Sequence, residues 1–210
     1  MCGIAGIYSH KAVATELYDS IIHLQHRGQD AAGIMTYDER MHKEKGMGLA
    51  KEVFNESNME LLTGNIGISH NRYPTHGGFS HGEVQPFWTS VPYGIALAHN
   101  GNLTNYNELA EEITHKDSRY LNTNSDSEVL LHYFADLLHT NNPPEDSEEF
   151  FYLLCNAVTK IFKHVKGAYS VVSLVIGKGL VVFRDPQGIR PLVKGERSNG
   201  NGGKDYIFAS

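Results

Sequence analysis

The chain has 210 residues, of which 40% are hydrophobic and 20% are charged, proportions that are ordinary for a soluble globular protein. Its net charge of −6 provides no basic footprint for nucleic acid or an anionic membrane. No apolar run approaches the roughly 20 residues of a membrane-spanning helix, and the N-terminus lacks the basic region of a signal peptide. Because two cysteines cannot form a disulfide framework, we expect a cytoplasmic protein. We expect it to bind neither nucleic acid nor a membrane.

Four short runs in the first half of the chain have the composition of β-strands. They cover 3–8, 31–37, 65–72 and 94–99. Between the first two, residues 12–25 carry apolar side chains at helical spacing, and a second short helix is predicted over 105–115. The third and fourth strands each lead into a cluster of polar residues. We therefore expect polar side chains to lie at the ends of these two strands.

Two long helices are predicted next. Ser125 followed by Glu128 is typical of a capping box, and the helix that it begins is expected to end near residue 140. After an Asn-Asn-Pro-Pro break, a second helix is predicted from 146–147 to about 164. Cys155 lies beside the apolar face of that helix, and we expect it to be a core cysteine.

The chain then returns to β-type sequence. A hairpin is predicted between 168–176 and 179–184 across a glycine-rich turn, and two further strands are predicted at 191–195 and 205–209. This order lacks the regular alternation of a doubly wound parallel sheet. The sequence therefore predicts an α+β fold with helices on largely antiparallel sheets.

Cys2 directly follows the initiator methionine. Removal of Met1, which a small second residue favours, would make Cys2 the N-terminal residue. A terminal α-amine has a pKa of about 8, so it can act as the general base for its own thiol, as in N-terminal nucleophiles. Gly3 and Gly6 allow the backbone to approach closely. This start alone gives only weak support for catalysis.

Separated blocks in a fixed order carry a family resemblance. They are Cys-Gly-Ile-Ala-Gly at 2–6, Gln-His-Arg-Gly-Gln-Asp-Ala-Ala-Gly-Ile at 25–34, Asn-Arg-Tyr-Pro-Thr at 71–75, His-Asn-Gly-Asn-Leu at 99–103 and Ser-Asp-Ser-Glu at 125–128. Together they resemble the class II glutamine amidotransferases, most closely the amidophosphoribosyltransferase branch that opens purine biosynthesis. Blocks at 85–87 and 183–192 point the same way.

Two alternatives stay open beside this resemblance. Another class II amidotransferase such as glucosamine-6-phosphate synthase tends to carry Arg-Trp-Ala-Thr where this chain has Arg-Tyr-Pro-Thr at 72–75. The Thr-His-Gly of residues 75–77 is nonetheless closer to that sibling. The second alternative is a non-catalytic glutamine-binding module, against which the joint presence of nucleophile and pocket residues argues.

The resemblance implies the four-layer αββα sandwich of the N-terminal-nucleophile hydrolases, with a glutaminase domain at 1–210. Cys2 is the implied nucleophile. Asn100 and Gly101 are the implied oxyanion hole, whose donors would stabilise the charge of the tetrahedral intermediate; a simple Asn-Gly turn is the alternative. A C-terminal phosphoribosyltransferase domain, which we expect to be absent here, would use the ammonia in the full-length enzyme.

The implied substrate, glutamine, needs a cation for its α-carboxylate and an anion for its α-ammonium. Arg72 resembles the carboxylate clamp, and Asp126 resembles the ammonium partner, with helix capping as the alternative role for Asp126. The segment 73–82 resembles a loop that closes over substrate. The remaining implied contacts are Tyr73, Thr75 and His76 in the pocket wall and Arg27 and Gly28 beside the nucleophile. An ion pair between Arg27 and Asp30 is equally compatible.

We expect no metal or organic cofactor for the glutaminase half-reaction, and Mg²⁺ only with the phosphoribosyltransferase domain. The histidines at 70, 76, 81 and 99 fit no zinc-ligand spacing. The block Arg-Asp-Pro-Gln-Gly-Ile-Arg at 184–190 is predicted to be a structural turn. The sequence leaves the acceptor of the ammonia and a homo-oligomeric state open.

Overall fold

The computed structural model describes residues 1–73, 81–115 and 119–210. The strands in these ranges are β1 Gly3–Tyr8, β2 Ala31–Tyr37, β3 Met41–Met47, β4 Ile66–Arg72, β5 Phe87–Thr89, β6 Ile95–Leu103, β7 Gly167–Val175, β8 Gly179–Arg184, β9 Val193–Ser198 and β10 Lys204–Ala209. The helices are α1 Ala14–His23, α2 Ala50–Val53, α3 Glu56–Met59, α4 Tyr106–His115, α5 Asp126–Leu138 and α6 Ser147–His164, with 3₁₀ turns at Gln25–Arg27 and His81–Glu83.

The strands form two sheets. One has six strands in the order β3-β2-β4-β1-β10-β9, and the other has four in the order β5-β6-β7-β8. Neighbouring strands pair antiparallel in both sheets. Strand β1, which begins directly after Cys2, lies inside the larger sheet between β4 and β10.

Three apolar clusters hold four layers together. Helix α1 buries Leu17 and Ile21 against the outer face of the larger sheet. Ile4 and Val172 belong to the cluster that fills the space between the sheets. Helices α4, α5 and α6 cover the outer face of the smaller sheet in the third cluster, which includes Phe134. The predicted α+β class with antiparallel sheets is therefore confirmed, and its layers follow the order helix, sheet, sheet, helix.

Several predicted elements differ from the structure. Strand β6 does not stop at residue 99 but continues to Leu103, so Asn100 and Gly101 lie inside a strand and the turn alternative for them is wrong. The strand predicted at 191–195 is found at Val193–Ser198. Elements β3, β5, α2 and α3 were not predicted; β3 is rich in charged residues and mostly half-buried, which hides the alternation typical of strands.

Two side-chain predictions on the long helices are wrong. Cys155 is exposed on α6 rather than buried in the core, because it lies at the margin of the apolar face. Ser125 caps α5 by accepting a hydrogen bond from the Ser127 amide at 3.3 Å, but Glu128 does not complete a capping box. The Glu128 carboxylate instead accepts hydrogen bonds from the preceding loop, at Asn122 and Thr123.

The block at 184–190 is a structural turn, as predicted. The buried Asp185 carboxylate accepts hydrogen bonds from the backbone amides of Ile189 at 2.9 Å, Arg190 at 3.1 Å and Tyr169 at 3.3 Å. These bonds fold the segment back onto the start of β7. In the part of the chain that the structure describes, no helix is both long and apolar enough to cross a membrane.

Candidate active site

A cavity of about 260 Å³ opens where strand ends from both sheets meet the N-terminus of α5. We call it the site cavity. Its walls come from the start of β1, the end of β4, the segment that leads into β5, the end of β6 and the first turn of α5. They are lined by Cys2, Arg72, Tyr73, Glu83, Gln85, His99, Gly101, Asn102, Leu103, Tyr106, Asn124, Ser125, Asp126 and Ser127.

The register of β1 on β4 places the thiol of Cys2 at this cavity. Gly3 pairs with Asn71, so Cys2 lies beside the residues that follow in β4. The Tyr73 amide lies 3.5 Å from Cys2 Sγ, and the Tyr73 carbonyl oxygen lies 3.8 Å from it. Burial raises the pKa of the Cys2 thiol, although the Tyr73 backbone, the terminal amine and Arg72 act in the opposite direction. The thiol is therefore predominantly protonated at neutral pH and needs a base.

Arg27 and Gly28 lie close to the backbone around Cys2 and β4. Arg27 Nε donates a hydrogen bond to the Cys2 carbonyl oxygen at 3.2 Å, which fixes the backbone that carries the thiol. Among the described residues, no ion pair joins Arg27 to Asp30, so that alternative is wrong. Gly28 lies against β4: a Cβ atom there would be 2.7 Å from the Arg72 carbonyl carbon and 2.7 Å from the Asn71 oxygen. Only glycine allows this approach without a shift of the backbone.

Arg72 is a buried cation in the cavity wall. Its Nη2 atom pairs with the carboxylate of Glu83. Its Nη1 atom is also buried and has no hydrogen-bond partner among the described residues. Sequence reasoning missed Glu83, since its one signal was its position next to the Gln-Pro-Phe block. One edge of the guanidinium is therefore occupied, while another nitrogen is left for a ligand.

Asp126 provides the second charge of the cavity and is the first residue of α5. Its Oδ2 atom accepts a hydrogen bond from the Leu103 amide of β6 at 3.0 Å, and its Oδ1 atom lies 3.7 Å from His99 Nδ1. The cap of the helix is Ser125 rather than Asp126. Because the Asp126 side chain keeps 23% exposure in the cavity wall, its carboxylate is available to a cationic group.

Asn100 and Gly101 are consecutive residues of β6, but they differ in their contacts. Gly101 lines the cavity, and a Cβ atom there would be 2.2 Å from the Ala168 carbonyl oxygen. The side-chain amide of Asn100 donates instead to Ser210 Oγ at 2.9 Å. Ser210 is paired through its backbone with Ile4, two residues after Cys2. Gly101 thus lies at the cavity, whereas the side-chain amide of Asn100 is hydrogen-bonded to Ser210.

A buried polar network that the sequence did not predict supports one wall. Ser127 Oγ lies 3.0 Å from Gln85 Nε2 and 2.9 Å from His99 Nδ1, and the His99 amide donates to Gln85 Oε1 at 2.8 Å. Burial lowers the pKa of His99 despite the nearby Asp126 carboxylate, so its imidazole is neutral at neutral pH. The network joins α5, β6 and the segment before β5. Motif blocks contain all three residues, but the blocks gave no indication of this contact.

Two of the predicted pocket contacts fall outside the described part of the chain. Thr75 and His76 lie outside the described residues, as does most of the predicted loop at 73–82. Burial lowers the pKa of His70 to about 3, which keeps this histidine neutral inside the sandwich. Within residues 1–73, 81–115 and 119–210, no group of three or more His, Cys, Asp or Glu side chains is arranged to hold a metal ion.

Most of the cavity wall lies in a part of the chain that matches a known family. A family model described as a glutamine amidotransferase domain matches residues 70–210, a range that contains Arg72, Gly101 and Asp126. The chain belongs to this family of glutamine amidotransferase domains.

Individual relatives indicate which branch of the family the chain resembles most. Over its full length the chain is 49% identical to the amidophosphoribosyltransferase of Pseudomonas aeruginosa, and it spans 41% of that protein. The structure is similar to the glutamine phosphoribosylpyrophosphate amidotransferase from B. subtilis complexed with ADP and GMP, with a TM-score of 0.79 and 31% identity over 99% of this chain and 41% of that one. A solved allosteric regulatory enzyme of purine biosynthesis gives a TM-score of 0.81 and 32% identity, over 100% of this chain and 42% of that one.

These comparisons confirm two predictions. The sandwich is of the N-terminal-nucleophile hydrolase type, and the resemblance to the amidophosphoribosyltransferases holds over the whole chain. The chain spans less than half the length of these relatives, which therefore carry a further region beyond the part that matches.

Proposed function

We propose that this chain is the glutaminase domain of an amidophosphoribosyltransferase and that it hydrolyses glutamine to glutamate and ammonia through a thioester on Cys2. The observation that carries the proposal is the meeting of a cysteine thiol, a buried arginine and a carboxylate at one cavity. Glutamine presents the complementary groups: a side-chain amide for the thiol, an α-carboxylate for Arg72 and an α-ammonium for Asp126. The family and the relatives support the same reaction.

The proposed reaction begins with the loss of Met1, which frees the α-amine of Cys2. The amine takes the thiol proton as sulfur attacks the amide carbon of glutamine. The resulting oxyanion is stabilised by the Gly101 backbone amide, and the Asn100 side chain would add a second donor if it exchanged its bond to Ser210 for one to the oxyanion. Ammonia leaves with the returned proton, and water then attacks the thioester to release glutamate and the thiol.

The relatives indicate which reaction would use the ammonia. In the full-length enzyme we expect a C-terminal phosphoribosyltransferase domain to combine the ammonia with phosphoribosyl pyrophosphate and give 5-phosphoribosylamine, with Mg²⁺ acting in that domain. The net charge of −6 and the presence of only two cysteines favour a cytoplasmic enzyme without a nucleic-acid or membrane partner. A homo-oligomeric state is compatible with the same proposal.

The proposal predicts that the purified chain releases glutamate from glutamine and that Cys2→Ala lowers kcat by more than about 1000-fold, since loss of a catalytic nucleophile typically costs this much or more. Cys155→Ala is the matched control, because Cys155 is exposed on α6 and is not among the residues that line the cavity. It should retain full activity. Undiminished turnover by Cys2→Ala would exclude the thioester, and binding of glutamine without turnover would indicate a non-catalytic module.

Maturation is tested on the same preparation. Intact-mass measurement should show that the active protein has lost Met1. Full activity in protein that retains Met1 would contradict the role of the α-amine as base, while leaving the Cys2 nucleophile itself intact.

A further inference from the structure

The ion pair between Arg72 and Glu83 lies within the wall of the site cavity. Its two side chains are 9% and 14% exposed, respectively. A buried arginine without a counter-charge is strongly destabilising, so Glu83 neutralises Arg72 when the cavity is empty. None of the motif blocks includes Glu83.

Glu83 is attached to a well-anchored piece of backbone. It ends the 3₁₀ turn His81–Glu83, and the next residue, Val84, accepts a hydrogen bond from the Lys45 amino group through its carbonyl oxygen. The same amino group lies 3.4 Å from the Pro86 carbonyl oxygen. Gln85 between them is held by Ser127 and by the His99 amide. The backbone that follows Glu83 is thus anchored to β3, β6 and α5.

The ion pair with Glu83 leaves the Nη1 atom of Arg72 without a hydrogen bond among the described residues. A guanidinium carries five N–H donors in one rigid plane, and Glu83 engages the Nη2 side of that plane. The buried Nη1 atom has no partner among the described residues, and Arg72 faces the cavity. A buried donor without a partner is costly. An arriving carboxylate would remove that cost without displacing Glu83.

We propose that Glu83 is a positioning residue that holds one edge of the Arg72 guanidinium so that Nη1 is presented to the α-carboxylate of glutamine. The inference rests on the proposed function, because it takes glutamine to be the ligand. Glu83 does not touch the reacting amide in this arrangement. Its effect is therefore on the affinity for the α-carboxylate and not on the chemical step.

Glutamine binding is measured by calorimetry in the Cys2→Ala chain, which cannot turn over. Adding Glu83→Ala should weaken glutamine binding about tenfold, equivalent to about one charge-assisted hydrogen bond. Glu83→Gln keeps an acceptor oxygen in the same place and should lose about threefold. In the chain with Cys2 intact, Glu83→Ala should raise KM by a similar factor and leave kcat within about twofold.

The ligand control is 4-aminobutanamide, which is glutamine without its α-carboxylate. The Glu83 variants should bind it as well as the parent chain does, since this ligand has no α-carboxylate that could accept a hydrogen bond from Nη1. An equal loss for both ligands would mean a general structural role and would overturn the proposal. Tighter glutamine binding in either variant would also overturn it, because Glu83 would then compete with the substrate for Arg72.

Two further results separate the two proposals. If glutamine fails to bind the Cys2→Ala parent and the intact chain releases no glutamate, the proposed function fails. If the parent binds glutamine and neither Glu83 variant changes that affinity, the positioning role alone fails. Because Glu83→Ala removes the counter-charge of a buried arginine, circular dichroism must show folded protein, and Glu83→Gln repeats the ligand comparison with the side-chain volume kept.

Discussion

The Cys2 thiol is held in a half-buried position where its neutral form is favoured. Burial is the largest influence on its pKa and raises it, against the effects of the Tyr73 backbone and Arg72. A cysteine nucleophile reacts as the thiolate, so this environment alone does not activate it. The base that the proposed reaction assigns to the α-amine is therefore a requirement of the site.

This raised pKa predicts how alkylation of Cys2 depends on pH. In a Cys155→Ser chain that retains Met1, Cys2 is the remaining cysteine, and its reaction with iodoacetamide can be followed by mass. Since the thiolate forms at higher pH in the folded protein, the midpoint of the rate profile should lie above that of the same chain unfolded in urea. An equal midpoint would show that burial does not raise this pKa, and a lower midpoint would show that the surroundings activate the thiol.

At the residue scale, motifs identified side chains but not their partners. The blocks led to Cys2, Arg72 and Asp126, and the structure brings all three to one cavity. Glu83 was missed because its pairing with Arg72 depends on how residues 81–86 are anchored, which no local pattern records. The prediction for Cys155 was wrong because helical spacing defines an apolar face but does not show how much of that face neighbouring elements bury.

Among the elements, the turn after β8 is held by one side chain. The Asp185 carboxylate is buried, which by itself raises its pKa, but the backbone amides of Ile189, Arg190, Tyr169 and Gly188 outweigh this and lower the pKa below its ordinary value. A lowered carboxyl pKa in the folded state stabilises the fold above the unfolded-state pKa of about 3.9. That stabilisation is lost as the pH falls through the folded-state pKa.

Asp185→Asn should therefore lower the free energy of unfolding at pH 7 by about 1–3 kcal/mol, as expected when buried donors lose a charged acceptor. The difference from the parent chain should shrink below about pH 4, where the aspartate itself becomes protonated. Urea unfolding at several pH values measures both effects. Asp19→Asn, at an exposed position on α1, is the control and should change stability little. A difference that does not vary with pH would rule out the carboxylate charge as its cause.

The limits of prediction at this scale follow from strand pairing. Residues 100–103 are mostly polar and resemble a loop, yet they belong to β6 because Asn100 pairs with Ser170 and Leu103 with Gly167 on β7. Tertiary pairing overrides local composition here. The long helices α5 and α6 were predicted within a few residues, since their apolar spacing and caps are properties of the local sequence.

At the scale of the whole molecule, the position of the site depends on the distance between the two sheets. Cys2 lies at the start of β1 in one sheet, and Gly101 lies on β6 in the other. The order of elements was enough to predict the fold class. It could not predict that β1 lies between β4 and β10, because these neighbours are brought together across most of the length of the chain.

Gly6 sets how closely the sheets approach. A Cβ atom there would lie 2.3 Å from Val172 Cγ1, a fully buried and branched side chain on β7. Such a contact forces a shift, so Gly6→Ala should destabilise the fold by about 1–3 kcal/mol through overpacking. Val172→Ala alone should cost a similar amount through the cavity that it leaves.

The double variant distinguishes contact between the sheets from a local effect on β1. If the added methyl group of Gly6→Ala enters the space that Val172→Ala vacates, the double variant should be more stable than the sum of the single effects predicts, by about 1–2 kcal/mol. Strictly additive losses would place the effect of Gly6→Ala within its own strand. The proposed glutaminase activity should follow stability in this series, because a sheet displaced at Gly6 also displaces Cys2, four residues earlier in the chain, from the donors on β6.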